Sequence, residues 1–128
     1  MREIATAWVA KAEVDFGNAG TVLKHGEEHV VESVCFHSQQ CVEKYLKAFL
    51  EEHEIEFRRI HSLDPLLNLC AGKDGKFIEF SDDVSRLESY AVTIRYPGAT
   101  ASRREAEVAF TTATQIRRFV RGALGLPD

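Results

Sequence analysis

The sequence predicts an all-α protein: an up-and-down four-helix bundle with an additional short helix between the second and third long helices. Apolar residues recur at steps of three and four along most of the chain, as they do on one face of an α-helix. Helix-ending signals, Gly26 and the pair Pro97-Gly98, separate the periodic segments. No internal repeat, low-complexity tract or long linker interrupts them, so we expect one domain over residues 1–128.

The composition is that of a folded globular protein, with 45% hydrophobic and 28% charged residues. The formal net charge of -4 does not favour polyanions, so a nucleic-acid role would need a local basic patch. Three cysteines without a CxxC pair predict reduced thiols in a reducing compartment. Charged residues interrupt the N-terminal stretch, and no segment approaches the roughly 20 apolar residues that cross a bilayer. We therefore expect no membrane contact and a cytoplasmic location.

The first two helices are predicted from about Glu3 to Lys24 and from about Val31 to His53, with Gly26 as the stop between them. The apolar stripe of the first helix is Trp8, Ala12, Asp15/Phe16, Ala19 and Leu23. The core stripe of the second is Val31, Cys35, Ser38, Val42, Tyr45/Leu46 and Phe49, and a second group at seven-residue spacing is Phe36, Glu43 and Leu50. A helix with two stripes usually touches two neighbours.

The remaining elements follow from capping and breaking residues. The short helix is predicted over Ser62 to Cys70, with Ser62 as its N-cap, and is followed by a turn over Gly72–Gly75. The third long helix opens at Ser81 and breaks at Pro97-Gly98; its stripe is Val84, Leu87, Tyr90/Ala91 and Ile94. The last helix opens with the capping box Ser102-Arg103-Arg104-Glu105 and ends between Gly122 and Gly125.

One segment of the second helix is more specific than helical packing requires. It reads Cys35-Phe36-His37-Ser38-Gln39-Gln40-Cys41-Val42-Glu43-Lys44-Tyr45-Leu46-Lys47-Ala48. Asp15-Phe16-x-x-Ala19 lies before this segment, and His61-Ser62-Leu63, Tyr90 and Arg95-Tyr96-Pro97-Gly98 lie after it. Over nearly its full length the chain resembles the compact prokaryotic proteins of the HEPN family.

The resemblance implies an up-and-down bundle, commonly a homodimer, encoded beside a minimal nucleotidyltransferase in a toxin–antitoxin-like module. Nucleotide binding is a family-level proposal. Many HEPN relatives are ribonucleases that carry an Arg and, after four to six intervening residues, a His. No Arg–His pair here has that spacing, since Arg58 and Arg59 are too close to His61. We therefore expect a non-catalytic subunit that needs no cofactor; the alternatives are a ribonuclease with an atypical site, or a purely structural dimerisation domain.

The candidate binding residues lie on the polar face of the second helix, which is His37, Gln40, Lys44, Lys47 and Glu51. The first four residues suit a pocket for a nucleotide phosphate or a partner's carboxylates, because lysines supply charge and His37 or Gln40 supplies hydrogen bonds. The alternative is a solvated face on which His37 and Glu43 form a buried polar clamp between helices.

Two further candidates lie outside that helix. Arg95 either lines the same pocket or pairs with Glu43, because Pro97 constrains Tyr96 and thereby the end of the helix. His61 either closes the connector through hydrogen bonds or binds a ligand. Seven arginines lie between Arg86 and Arg121, and five of them suit an RNA- or partner-facing stripe, although solvated surface is the simpler interpretation: Arg103, Arg104, Arg117, Arg118 and Arg121. The string His25-x-x-Glu28-His29 matches a zinc-protease motif by chance, because Gly26 interrupts the helix, so we expect no metal.

Overall fold

The computed structural model describes residues 1–26, 31–93, 97–98 and 101–128. Its elements are α1 (Glu3–His25), α2 (Val31–Glu52), α3 (Leu63–Lys73), a 3-10 helix (Gly75–Phe80), α4 (Ser81–Thr93) and α5 (Arg103–Ala123). Four long helices and the short α3 between α2 and α4 confirm the predicted all-α architecture. In the described part of the chain, no helix is both long enough and apolar enough to cross a membrane.

Helix α2 is the central element. It packs along α1, against α5, and against α3 and α4. Fourteen of its 22 residues are buried, including all the residues of the predicted core stripe. Of the second predicted group, Glu43 and Leu50 are buried while Phe36 is exposed. The expectation that α2 touches more than one neighbour is therefore correct.

Helices α1 and α2 meet through two rows of residues at alternating steps of three and four. The row on α1 is Ala5, Val9, Ala12, Phe16, Ala19 and Leu23, and the row on α2 is Val31, Val34, Ser38, Cys41, Tyr45 and Ala48. The contacts of Arg2 with Glu52 and of Asp15 with His37 set an antiparallel register that brings these rows opposite each other. Both rows contain small buried residues, which let the helix axes approach closely.

The end of the bundle near α3 is filled by aromatic rings. Phe77 of the 3-10 helix packs against Phe49 of α2 and Phe119 of α5, with ring centroids 4.6 and 4.9 Å apart. The predicted turn over Gly72–Gly75 is wrong, because α3 continues to Lys73 and the 3-10 helix begins at Gly75. The Asp74 side chain accepts a hydrogen bond from the Lys76 amide and so caps this new element.

The connector between α2 and α3 folds back over α2. Ile55, Phe57 and Ile60 pack against the core from this segment. Two of its non-glycine residues, Glu54 and Arg59, have positive φ angles of 55° and 63°. Such backbone conformations are costly for side chains other than glycine, so the packing of the apolar residues must hold this path. The connector thereby places His61 beside α2.

The two predicted N-caps differ in outcome. The capping box of α5 is present, with the Ser102 hydroxyl accepting from the Glu105 amide and the Glu105 carboxylate accepting from the Ser102 amide. Ser62 is the N-cap residue of α3, as predicted, but its side chain makes no capping hydrogen bond. Pro97 and Gly98, predicted to end the third long helix, lie in a turn. Ile94 of the predicted α4 stripe lies outside the described residues.

Candidate functional site

A first cluster of charges lies between α1 and α2 around Asp15. The Asp15 carboxylate is 9% exposed and accepts a hydrogen bond from Nδ1 of His37 at 2.8 Å. It also accepts a hydrogen bond from Nζ of Lys44. These contacts explain why a carboxylate stands in the apolar stripe of α1, since a buried charge requires a paired, hydrogen-bonded environment. The single buried carboxylate thus orients two of the candidate residues of α2.

The contact with Asp15 also selects the hydrogen-bonding state of His37. A carboxylate accepts only, so Nδ1 of His37 must carry the proton. In the neutral imidazole, Nε2 is then left as an acceptor. A histidine oriented in this way by a carboxylate is the arrangement of a general base, and the side chain of His37 is 25% exposed.

A second cluster joins α2 to the connector. Nζ of Lys47 lies 2.9 Å from Oε2 of Glu43 and 2.9 Å from Nδ1 of His61. Because an ammonium group only donates, Nδ1 of His61 must accept, and the proton of the neutral imidazole lies on Nε2. His61 and His37 therefore present opposite hydrogen-bonding groups at Nε2, a donor and an acceptor.

Lys47 is 3% exposed, although a lysine on the polar face of a helix is expected to reach water. The rings of Trp8 and Phe57 lie over its ammonium group, with centroids 5.2 and 5.7 Å away. Such cation–π contacts partly replace the lost hydration. The prediction that Lys47 belongs to a solvated polar face is therefore wrong, because the connector covers this part of α2.

Amides extend the second cluster to α3 and α4. Nε2 of Gln39 donates to Oε1 of Glu43 at 3.4 Å and to Oε2 of Glu88 at 3.3 Å. The same Glu88 oxygen accepts from the Leu63 amide at the start of α3. Gln40 donates to Oε1 of Gln39. These hydrogen bonds link α2, α3 and α4. A polar network of this kind favours one arrangement of the helices over others.

A third cluster, on the opposite side of the α1–α2 contact, was missed by the sequence analysis. Glu13 accepts two hydrogen bonds of 2.8 Å from the guanidinium group of Arg117 on α5. It also accepts from the Tyr45 hydroxyl, which in turn accepts from Arg121. Chiefly through the hydrogen bond from Arg117, the pKa of Glu13 is lowered, whereas burial and the Glu13 hydrogen bond raise the pKa of Tyr45.

The structure separates the predicted binding residues into two groups. His37 and Lys44 share Asp15, while Lys47, His61 and Gln40 belong to the network around Glu43. A single clamp made of His37 and Glu43 is therefore wrong: the two side chains have different partners. Arg95 and Tyr96 lie outside the described residues, as do Glu28 and His29 of the zinc-like string.

The predicted arginine stripe is also corrected. Arg117 and Arg121 are largely buried against Glu13 and Tyr45, with side-chain exposures of 17% and 13%. Arg103 donates to the Leu23 carbonyl oxygen, and Arg118 pairs with Asp128. The stripe fails as a continuous RNA-facing surface because two of its arginines face the inside of the bundle.

Neither metal nor thiol chemistry is favoured by the geometry. Among the residues that the structure describes, no group of three or more His, Cys, Asp or Glu side chains could hold a metal ion. All three cysteines are buried. Burial raises the pKa of Cys35 to about 11 and raises the pKa values of Cys41 and Cys70 further, so these thiols are protonated at neutral pH. A groove of about 400 Å³ between α4 and α5 is lined by Arg86 and Arg104, but by none of the candidate binding residues of α2 and not by His61.

Comparisons with known proteins show which family has this architecture. The model of the family described as "HEPN domain" matches residues 5–123. The crystal structure of an archaeal HEPN homologue is 26% identical and has a TM-score of 0.73, over 96% of this chain and 98% of that one. A crystal structure from Thermus thermophilus is 23% identical, with a TM-score of 0.75 over 94% of this chain and 98% of that one, which shows the shared fold. No curated protein matches the chain.

Proposed function

Because the chain belongs to the HEPN domain family, we propose that it is a non-catalytic, homodimeric HEPN subunit that binds a small nucleotidyltransferase. The pair would form a toxin–antitoxin-like or nucleotide-binding module in the cytoplasm. The observation that carries the proposal is the internal pairing of the polar face of α2. Lys44 is bound by Asp15, and Lys47 is bound by Glu43 and His61.

Internal pairing of this kind suits a binding subunit better than an enzyme. A cation that already has a buried counter-ion gains less from stabilising a transition-state charge than an unpaired cation does. In addition, the sequence contains no Arg that is followed, after four to six intervening residues, by a His, the pair found in the ribonucleases of the family. The paired network instead orders α2 and thereby holds the surface that a partner would bind.

Co-expression with the neighbouring open reading frame tests the proposal. We expect that frame to encode a small nucleotidyltransferase and the two proteins to elute together in size-exclusion chromatography. A matched control is a nucleotidyltransferase from an unrelated gene pair, which should elute separately. Separate elution of the neighbouring protein, or a neighbouring gene of another class, would count against the proposal.

A second candidate function is RNA cleavage at an atypical site, and the contact between Asp15 and His37 favours it. The carboxylate holds the imidazole in the tautomer that a general base requires, and Lys44 lies beside them as a cation. A ribonuclease of this kind would lose activity on tRNA or mRNA in the variant His37→Ala and keep it in Arg118→Ala. Equal activity in both variants, or none in the wild-type protein, removes this candidate.

The remaining alternative is a structural dimerisation domain that binds no nucleotide. Thermal unfolding with a panel of nucleotides separates it from a nucleotide-binding module. A ligand present at 100 times its dissociation constant adds about 2.7 kcal/mol to the free energy of unfolding. A rise in the melting temperature that occurs with one nucleotide class and disappears in Lys44→Gln would support a pocket on α2. The absence of any shift would favour the structural domain.

A further inference from the structure

Helix α1 carries a second row of residues on the side opposite to α2. It also follows alternating steps of four and three: Glu3, Ala7, Ala10, Val14, Gly17, Thr21 and Lys24. We call these seven residues the outer row. All of them are exposed, and Val14 at the centre is 64% exposed. Residues at this spacing lie on one face along the whole length of a helix.

The composition of the outer row differs from that of an ordinary solvated face. From Ile4 to Thr21, a stretch that the structure describes completely, the exposed residues of α1 include a single charged side chain, Lys11. On α5 half of the exposed positions are charged: the exposed residues are Arg103, Arg104, Glu107, Thr111, Gln115, Arg118, Gly122 and Ala123. Solvated surfaces are rich in charge, whereas exposed apolar faces mark contacts with other proteins. The outer row is therefore suited to being covered.

The ends of the outer row indicate what covers it. An acidic residue, Glu3, lies in the first turn of α1, and the basic residues Lys24 and His25 lie in the last turn. Two such helices placed antiparallel bring Glu3 of one copy beside Lys24 of the other. The opposite ends of the two helix dipoles also become neighbours. The row is thus complementary to itself in charge, and Val14 lies at the midpoint.

We infer that two copies of this chain dock antiparallel through the outer rows of α1, with Val14 on the two-fold axis. The inference rests on the homodimer of the proposed function and names its interface. Ala7, Ala10 and Gly17 have little or no side chain, so the two backbones can approach closely. A Cβ added at Gly17 meets no atom within 4 Å of the chain itself, which leaves this space for a second copy.

A charge at the centre of the row provides the first test, by analytical ultracentrifugation over a range of protein concentrations. We expect a wild-type dimer and, in Val14→Glu, a dimer weakened at least about tenfold, because an unpaired charge would be buried against its own copy. Thr111→Glu on the exposed side of α5 is the matched control and should leave the dimer unchanged. Both positions are exposed, so the substitutions do not disturb the core.

Charge reversal at the ends provides the second test. Glu3 and Lys24 are about 32 Å apart along one helix of 1.5 Å rise per residue, so they cannot pair within one chain. Glu3→Lys alone and Lys24→Glu alone should each weaken the dimer, and the double variant should restore it. Melting curves of the three variants report any loss of helix stability separately. Restoration in the double variant requires a contact between chains.

A disulfide test does not depend on charge. Val14→Cys introduces an exposed thiol, whereas Cys35, Cys41 and Cys70 are buried. Mild oxidation should produce a covalent dimer of Val14→Cys, and Thr111→Cys should remain monomeric on a non-reducing gel. A wild-type monomer at all concentrations overturns the homodimer and this interface together. A dimer that survives Val14→Glu, without cross-linking at position 14, overturns the interface alone. Binding of the nucleotidyltransferase is a separate measurement, so its failure does not mimic either result.

Discussion

Two ion pairs on opposite sides of α2 lie in very different surroundings. On the side of the connector, the side chains of Lys47 and Glu43 are 4% and 10% exposed. On the side of α5, the side chains of Arg117 and Glu13 are 17% and 34% exposed, although their hydrogen bonds are equally short. A fully buried charge that loses its partner is left without water, whereas a charge that is partly exposed is hydrated again. Burial, rather than distance, should therefore rank the contributions of these pairs.

The largest effect is expected at the most buried pair. In Lys47→Met the carboxylate of Glu43 loses its ammonium partner in a dry environment, which costs about 3–5 kcal/mol of unfolding free energy. The double variant Glu43→Gln/Lys47→Met removes both charges and keeps an acceptor for Gln39. We expect it to recover most of the loss. Urea unfolding gives the free energy of unfolding of the wild type, Lys47→Met and the double variant. A double variant no more stable than Lys47→Met would contradict the ranking.

The cluster around Asp15 should have an intermediate effect. Asp15→Asn leaves Lys44 without its carboxylate and weakens the hydrogen bond to His37. The side chains of Lys44 and His37 are 23% and 25% exposed and can recover hydration, so we expect a loss of about 1–3 kcal/mol. The same urea series measures it. A loss as large as that of Lys47→Met would show that hydrogen-bond geometry outweighs burial. Nitrogen NMR of the imidazole gives a second readout, because His37 should lose its preference for the proton on Nδ1.

Arg117→Gln should cost less, about 1 kcal/mol at neutral pH. The pH dependence of this stability difference identifies its cause. Since the pKa of Glu13 is lowered from 4.5 in the folded protein, its contribution is fully present above pH 4.5 and is lost as the pH falls through the lowered value. The stability difference between wild type and Arg117→Gln should therefore shrink in acid. A difference that stayed constant with pH would assign the effect to lost packing of Arg117 over the ring of Phe16.

The smallest effect is expected at the exposed pair of Arg118 and Asp128, whose side chains are both 70% exposed. Arg118→Ala should change the free energy of unfolding by no more than about 0.5 kcal/mol. Chemical denaturation at low and high salt provides the measurement. A larger loss would mean that the C-terminal residues contribute more to the bundle than their exposure indicates.

The helices were predictable because their signals are local. The periodicity of apolar residues predicts α1 and α2 to within one residue at each end, and the capping box at Ser102 predicts the start of α5. The 3-10 helix was not predicted because Gly72 and Gly75 suggest a turn. That element exists because burying Phe77 against Phe49 and Phe119 outweighs the turn preference of the glycines.

For the candidate site, the sequence by itself determined the family resemblance and which polar residues share a face of α2. The partners were decided by the tertiary structure. Glu13 and Arg117 are 104 residues apart, and no local pattern connects them. Lys47 belongs to the polar face by helical periodicity, yet the connector buries it beneath Phe57 and beside His61. Periodicity reports the direction in which a side chain leaves its own helix, whereas burial and charge pairing depend on what the rest of the chain places there.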